Sequence, residues 1–243
     1  SQSIATPNFI INTIVADSLN QIADRLEKAS DFQTEVHCVV KDIIKKHKRI
    51  IFNGNNYSEE WVAEAERRGL PNLKTAVDAI PALIAEKNIE LFRRTGVLTP
   101  TEVYSRYEIQ LENYIKTLRI EALTMAEMIS RQILPAAIYY VKRVADTVSA
   151  LNSAGADSKS TKKALDKLVV LTSSLRIDAD ALNESIETLD KMTGDKLIKA
   201  RAYMEMVIPI MEDLRKDADK LESMMDANLW PIPTYGDLLF GLI

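Results

Sequence analysis

Two apolar stripes with sustained 3-4 spacing leave this chain few folds to choose from. Leu165, Leu168, Thr172, Leu175, Ala179, Leu182, Ile186 and Leu189 form the first; Leu197, Ala200, Met204, Val207, Met211, Leu214, Ala218, Leu221 and Met225 form the second. Such a stripe winds along one side of a helix and needs a matching surface over its whole length. Only Met192-Thr193-Gly194-Asp195 separates the two, and so short a turn leads the second helix back along the first. The spacing predicts an antiparallel coiled-coil hairpin over 157–227.

The residues upstream read the same way. Thr99-Pro100-Thr101-Glu102 is a capping box with proline at the first helical position. No stop signal follows until Asn152 to Gly155, apart from Pro135, which costs ~3 kcal/mol inside a helix and is predicted to kink it. Val141, Val144, Val148 and Leu151 supply a third face for a bundle. Nearer the start, Ile11, Val15, Leu19, Ile22 and Leu26 mark an amphipathic helix over residues 8 to 28. Ser30 or Asp31 caps a second helix carrying Val36, Val40, Ile43 and Ile44, and Ser58 caps a third that ends before Gly69. Short helices divided by Pro81 fill residues 73–95 and stop at Gly96. Only 7 glycines and 8 prolines occur in 243 residues, and strand-type alternation is almost absent. The fold class is therefore all-α: a long-helix bundle with a kinked central helix and an antiparallel coiled-coil hairpin. The tail Leu229-Trp230-Pro231-Ile232-Pro233 is non-helical and apolar enough to fold back on the helical body.

Charge and composition exclude several functions. Thirty-one Lys plus Arg against 35 Asp plus Glu give a net charge of −4, no field for nucleic acid. No run reaches the ~18 apolar residues of a membrane span. A single cysteine, Cys38, allows no internal disulfide and no cysteine zinc site, which fits a reducing, cytoplasmic setting. With Ser1 first and a mid-protein type of helix from Ile10 to Leu19, the chain reads as a piece of something longer.

Residues that could carry chemistry each have a plainer explanation. His37 and His47 lie ten apart, about 15 Å along a helix, too far to share a metal. The cationic turn Lys45-Lys46-His47-Lys48-Arg49 complements a helix C-terminus. Asn53-Gly54-Asn55-Asn56 lacks the Gly-Lys-Ser/Thr ending of a phosphate loop and reads as a turn. Glu59-Glu60, Glu108 with Glu112, and Glu121 with Glu127 read as solvated helix faces. Met125, Met128, Met204, Met206, Met211, Met224 and Met225 fit either a soft, adaptable groove or ordinary core, and core is favoured. Cys38 reads as a structural thiol. No catalytic, cofactor-binding or metal-binding residue is assigned.

A series of segments nevertheless resembles one family in order. Ser1-Gln2-Ser3-Ile4-Ala5-Thr6-Pro7-Asn8, running into Asn12-Thr13-Ile14-Val15-Ala16, is similar to the segment closing the catalytic core of type III glutamine synthetases. Family-like stretches follow at Ile51-Phe52-Asn53-Gly54-Asn55-Asn56-Tyr57-Ser58-Glu59-Glu60-Trp61 and Arg68-Gly69-Leu70-Pro71-Asn72-Leu73. Gly96-Val97-Leu98-Thr99, Ser105-Arg106-Tyr107-Glu108-Ile109, Ile120-Glu121-Ala122-Leu123-Thr124-Met125 and Ile133-Leu134-Pro135-Ala136 continue the series. It ends at Trp230-Pro231-Ile232-Pro233-Thr234-Tyr235 before Leu238-Leu239-Phe240. Ala76-Val77-Asp78 and Arg93-Arg94-Thr95 depart from the family pattern, and the hairpin matches only in general character.

The resemblance implies a parent enzyme that joins ammonia to glutamate with ATP, using magnesium or manganese held by sheet-borne carboxylates, and assembles into stacked rings. Those carboxylates and the nucleotide site would lie before Ser1, so none transfers to a residue of this chain. On that reading residues 1–30 close the catalytic core and 31–243 form a C-terminal helical domain, with the hairpin at 157–227 and the docked tail at 229–243. The implied partners are the chain's own catalytic domain and ring neighbours, and the implied role is assembly or regulation. An independent helical adaptor is the alternative.

Overall fold

The ends of each helix leave backbone amides that a side chain can satisfy, and these caps set the element boundaries. The structure is a computed structural model that describes residues 4–241, the Tyr235 side chain excepted. Ser1-Gln2-Ser3 of the first family-like segment and residues 242–243 of the tail lie outside the described residues. Helices α1 (Ala5–Glu27), α2 (Phe32–His47), α3 (Glu59–Arg67), α4 (Ala76–Ala79) and α5 (Glu86–Thr95) come first. Then follow α6 (Pro100–Met128), α7 (Leu134–Ser153), α8 (Lys159–Asp190), α9 (Lys196–Met224) and α10 (Tyr235–Phe240). The fold is all-α, with no strand among the described residues.

Of the two candidate caps for α2, Asp31 does the work, accepting the Gln33 amide at 3.2 Å. At α6 the capping box closes in both directions. The Thr99 amide donates to Glu102 Oε2 at 2.7 Å, and the Glu102 amide donates to Thr99 Oγ1 at 3.3 Å. Asp195 caps α9 through the Leu197 and Ile198 amides. Gly194, at φ +106°, makes the preceding turn in a conformation that L side chains rarely adopt.

Pro135 would set its ring against the carbonyl four residues back and leave that carbonyl without its donor. The chain widens by one residue there: Ile129–Ile133 form a π-turn between α6 and α7. Buried Ile129, Ile133, Leu134 and Ala137 hold the turn in place. A second proline, Pro209, lies inside α9 without breaking it; it is exposed, while Val207 and Leu214 on either side are fully buried.

Two compact units divide within α6, at Ser1–Gln110 and Leu111–Ile243. In the second, α8 packs along both α7 and α9. Leu168, Leu175, Ala179, Leu182, Ile186 and Leu189 of α8 are buried, as are Ala200, Val207, Leu214, Ala218 and Leu221 of α9. Each large side chain contributes ~1.5–3 kcal/mol. At one position a neighbour replaces the stripe residue: Tyr203 rather than Met204 is fully buried. A neighbouring ion pair explains the exchange. Arg119 of α6 grips Asp190 with hydrogen bonds of 2.8 and 2.7 Å, and the Tyr203 hydroxyl donates to Asp190 Oδ1 at 3.3 Å. Burial, reinforced by Asp190, pushes the Tyr203 hydroxyl pKa up to about 12, so it stays a donor.

Candidate functional site

In the first unit, α1 carries apolar side chains on two opposite sides, and only one side finds a partner. Phe9, Thr13 and Asp17 are spaced four apart and share one row. Phe9 packs its ring against Phe92 of α5 with centroids 5.9 Å apart, and Arg106 lies 5.4 Å above it. Thr13 is buried, its hydroxyl donating to the Phe9 carbonyl at 2.7 Å. Arg94 grips Asp17 with two hydrogen bonds, of 2.8 and 2.6 Å, and holds its carboxyl below the ordinary value. Arg94 lies in the Arg93-Arg94-Thr95 segment at the end of α5.

The opposite row of α1 is left open. Ile11, Val15 and Leu19 are 60, 51 and 60% exposed. Helix α2, which packs on α1, shows the same feature: Val39 is buried while Val40, Ile43 and Ile44 are exposed. Arg25 ties the two helices together, pairing with Glu35 and, at 2.9 Å, with Asp42. Single exposed apolar residues need no explanation, but rows of them on two adjoining helices form a continuous uncovered apolar surface.

The Asn-Gly loop and the helix after it make a clasp. Phe52 stacks on Trp61 with centroids 4.5 Å apart, and Arg68 lies 5.8 Å from the Trp61 ring. Arg68 also donates to the carbonyls of Arg49 (3.1 Å) and Ile51 (2.8 Å) and pairs with Glu64. Together Arg67 and Arg68 lower the Glu64 pKa to about 2. A Cβ on Gly54 would sit 2.7 Å from the Phe52 ring, so glycine is there to seat that ring. The loop thus takes part in the packing of the first unit. Periodicity gave no hint of this clasp, because it joins residues 7 to 19 apart across a loop. The family-like stretches do contain Phe52, Trp61 and Arg68.

The other chemistry-bearing residues stay apart. His37 and His47 are exposed at different turns of α2, and Cys38 is half-buried. Glu112 pairs with Lys116 at 2.5 Å and with Lys196 of α9 at 3.1 Å; Glu127 pairs with Arg131. Among the described residues, no group of three or more His, Cys, Asp or Glu could hold a metal ion. None of the helices there is long and apolar enough to cross a membrane. The methionines divide between the two roles weighed for them: Met225 is core, while Met125, Met128 and Met211 line a cavity.

Comparison with known proteins adds the family. Residues 35–152 match the model of the glutamine synthetase C-terminal domain. The chain is similar to a glutamine synthetase of Butyrivibrio fibrisolvens, with 39% identity over 87% of this chain and 30% of that protein. It is similar to the type-3 glutamine synthetase of Dictyostelium discoideum, with 34% identity over 99% of this chain and 34% of that protein. A glutamine synthetase of Bacteroides fragilis is 26% identical over the same shares of the two chains. The chain thus spans about a third of the length of these relatives.

Proposed function

Because this chain belongs to the type III glutamine synthetases through their C-terminal domain, we propose that it is the assembly and regulatory region of such an enzyme and that the reaction occurs elsewhere in the parent. The parent reaction would be the ATP-dependent ligation of ammonia to glutamate, in the cytoplasm, with magnesium or manganese. The observation that carries the proposal is the open apolar face of α1 and α2. Its occupant would be the catalytic part of the same enzyme, for which the remaining two-thirds of the relatives' length leaves room. Ring neighbours would be the further partners.

Among the described residues, no cluster of carboxylates that could hold a metal ion is formed. Their carboxylates lie dispersed on helices, and several already face lysine or arginine. No step of the ligation is therefore assigned to them. Titration calorimetry of the chain with magnesium–ATP tests this half of the proposal: no saturable heat is expected, and micromolar binding would overturn it. The genomic reading frame tests the other half. It should continue upstream of Ser1 through a ligase domain with metal-binding carboxylates, and a frame opening at Ser1 would favour an independent adaptor.

A further inference from the structure

Asn53 and Gly54 lie exposed in the loop before α3, and Asn53 is the one asparagine of the chain followed by glycine. Asparagine counts among the thermolabile residues, because the backbone nitrogen of the next residue can attack its side-chain amide. The attack needs room beside that nitrogen and a nitrogen that no hydrogen bond holds. Gly54 meets both needs. It has no Cβ to crowd the approach, and its amide makes no hydrogen bond among the described residues. The other two asparagines of the loop are placed differently. Asn55 is followed by a residue with a side chain, and its own Oδ1 accepts the Tyr57 amide at 3.0 Å. That same bond occupies the nitrogen that would attack Asn56. The clasp, moreover, ties the chain to the reactive pair. A Cβ at position 54 would meet the Phe52 ring at 2.7 Å, so the packing of Phe52 requires glycine where glycine opens Asn53 to attack.

We propose that Asn53 is a site of spontaneous covalent modification, which converts it to isoaspartate and opens the Phe52–Trp61–Arg68 clasp. The Gly54 nitrogen gives up its proton and bonds to Asn53 Cγ. The Cγ–Nδ2 bond breaks, and Nδ2 leaves as ammonia. Water then opens the resulting five-membered imide. Cleavage between the Gly54 nitrogen and Cγ leaves aspartate. Cleavage between that nitrogen and the Asn53 main-chain carbonyl carbon leaves isoaspartate, with the chain now running through Cβ and Cγ. In sum one water is consumed and one ammonia released, with no change of oxidation state. Isoaspartate adds a methylene to the main chain between Phe52 and Gly54, the two residues whose close approach seats the ring on Trp61. The inference rests on this loop and α3 and is independent of what covers α1 and α2.

The test incubates the chain in warm, mildly alkaline buffer and follows the tryptic peptide 50–67, which holds all three asparagines of the loop. Electron-transfer fragmentation should place the amide-to-acid mass gain on Asn53, with Asn55 and Asn56 still amides and isoaspartate exceeding aspartate. The folded chain and the chain in urea should convert at rates within about tenfold of each other, because the exposed loop gives little protection. In a Trp230→Phe chain Trp61 is the remaining tryptophan, and its emission should move to the red as conversion proceeds. Asn53→Gln has too long a side chain to close the five-membered ring, and should show neither the acid nor the red shift over the same period. Retention of the Asn53 amide, or conversion more than about tenfold slower than in urea, overturns the proposal. Full conversion with Trp61 emission unchanged overturns the opening of the clasp, as does an equal shift in Asn53→Gln.

Discussion

The two units of this chain use the same kind of sequence to opposite ends. In the Leu111–Ile243 unit, apolar rows on α8 and α9 cover each other, and Leu175, Leu182, Leu214 and Leu221 are fully buried. In the Ser1–Gln110 unit the row Ile11, Val15, Leu19 is as regular, yet it stays more than half exposed. Periodicity therefore says which side of a helix prefers to leave water and nothing about where its cover lies. When a second stripe follows after a five-residue turn, the cover is local. When it does not, the row stays uncovered in this chain, even where another row of the same helix is covered, as Phe9 and Thr13 are on α1.

The largest expected effect puts a charge into each kind of row. Leu175→Asp removes a fully buried side chain and buries a carboxylate, so it should cost on the order of 4 kcal/mol in chemical denaturation. Leu19→Asp should stay within ~0.5 kcal/mol in the same measurement, since that side chain is already in water. Comparable losses would break the contrast between the units. Thr99→Ala should cost ~1 kcal/mol by removing one half of the capping box at the start of α6; an unchanged midpoint would mean that the helix is held by packing alone.

A gentler test uses pH on the clasp of the first unit. The Glu64 pKa, about 2 in the fold, lies below its ordinary value of 4.5. A lowered carboxyl stabilises the fold above its ordinary value, and that contribution is lost as pH falls through the folded one. Trp61 emission, read in a Trp230→Phe chain, should therefore change between pH 4.5 and about 2. Glu64→Gln should flatten the change.

Sequence alone carried the helix content, the capping box, the glycine stops and nearly every buried residue of α8 and α9, because all of these are local or periodic signals. It passed over Pro209, which lies off the apolar stripe at an exposed position of α9. It also placed Met204 rather than Tyr203 in the core, since the exchange depends on Arg119 and Asp190, 71 positions apart. The Phe52–Trp61–Arg68 clasp and the methionine-lined cavity are likewise products of tertiary meeting, with no spacing rule to announce them. The family resemblance was legible because its segments recur in order along the chain.

Amide hydrogen exchange, compared between this chain and the full-length parent enzyme, tests the central claim most directly. If the open face of α1 and α2 is where the catalytic part docks, amides from Ala5 to His47 should exchange on the order of tenfold more slowly in the parent. Amides in the buried turns of α8 and α9 should show no comparable gain, because that packing is complete within the chain. Equal exchange of α1 and α2 in both proteins would contradict the account and leave the face without a partner in the enzyme.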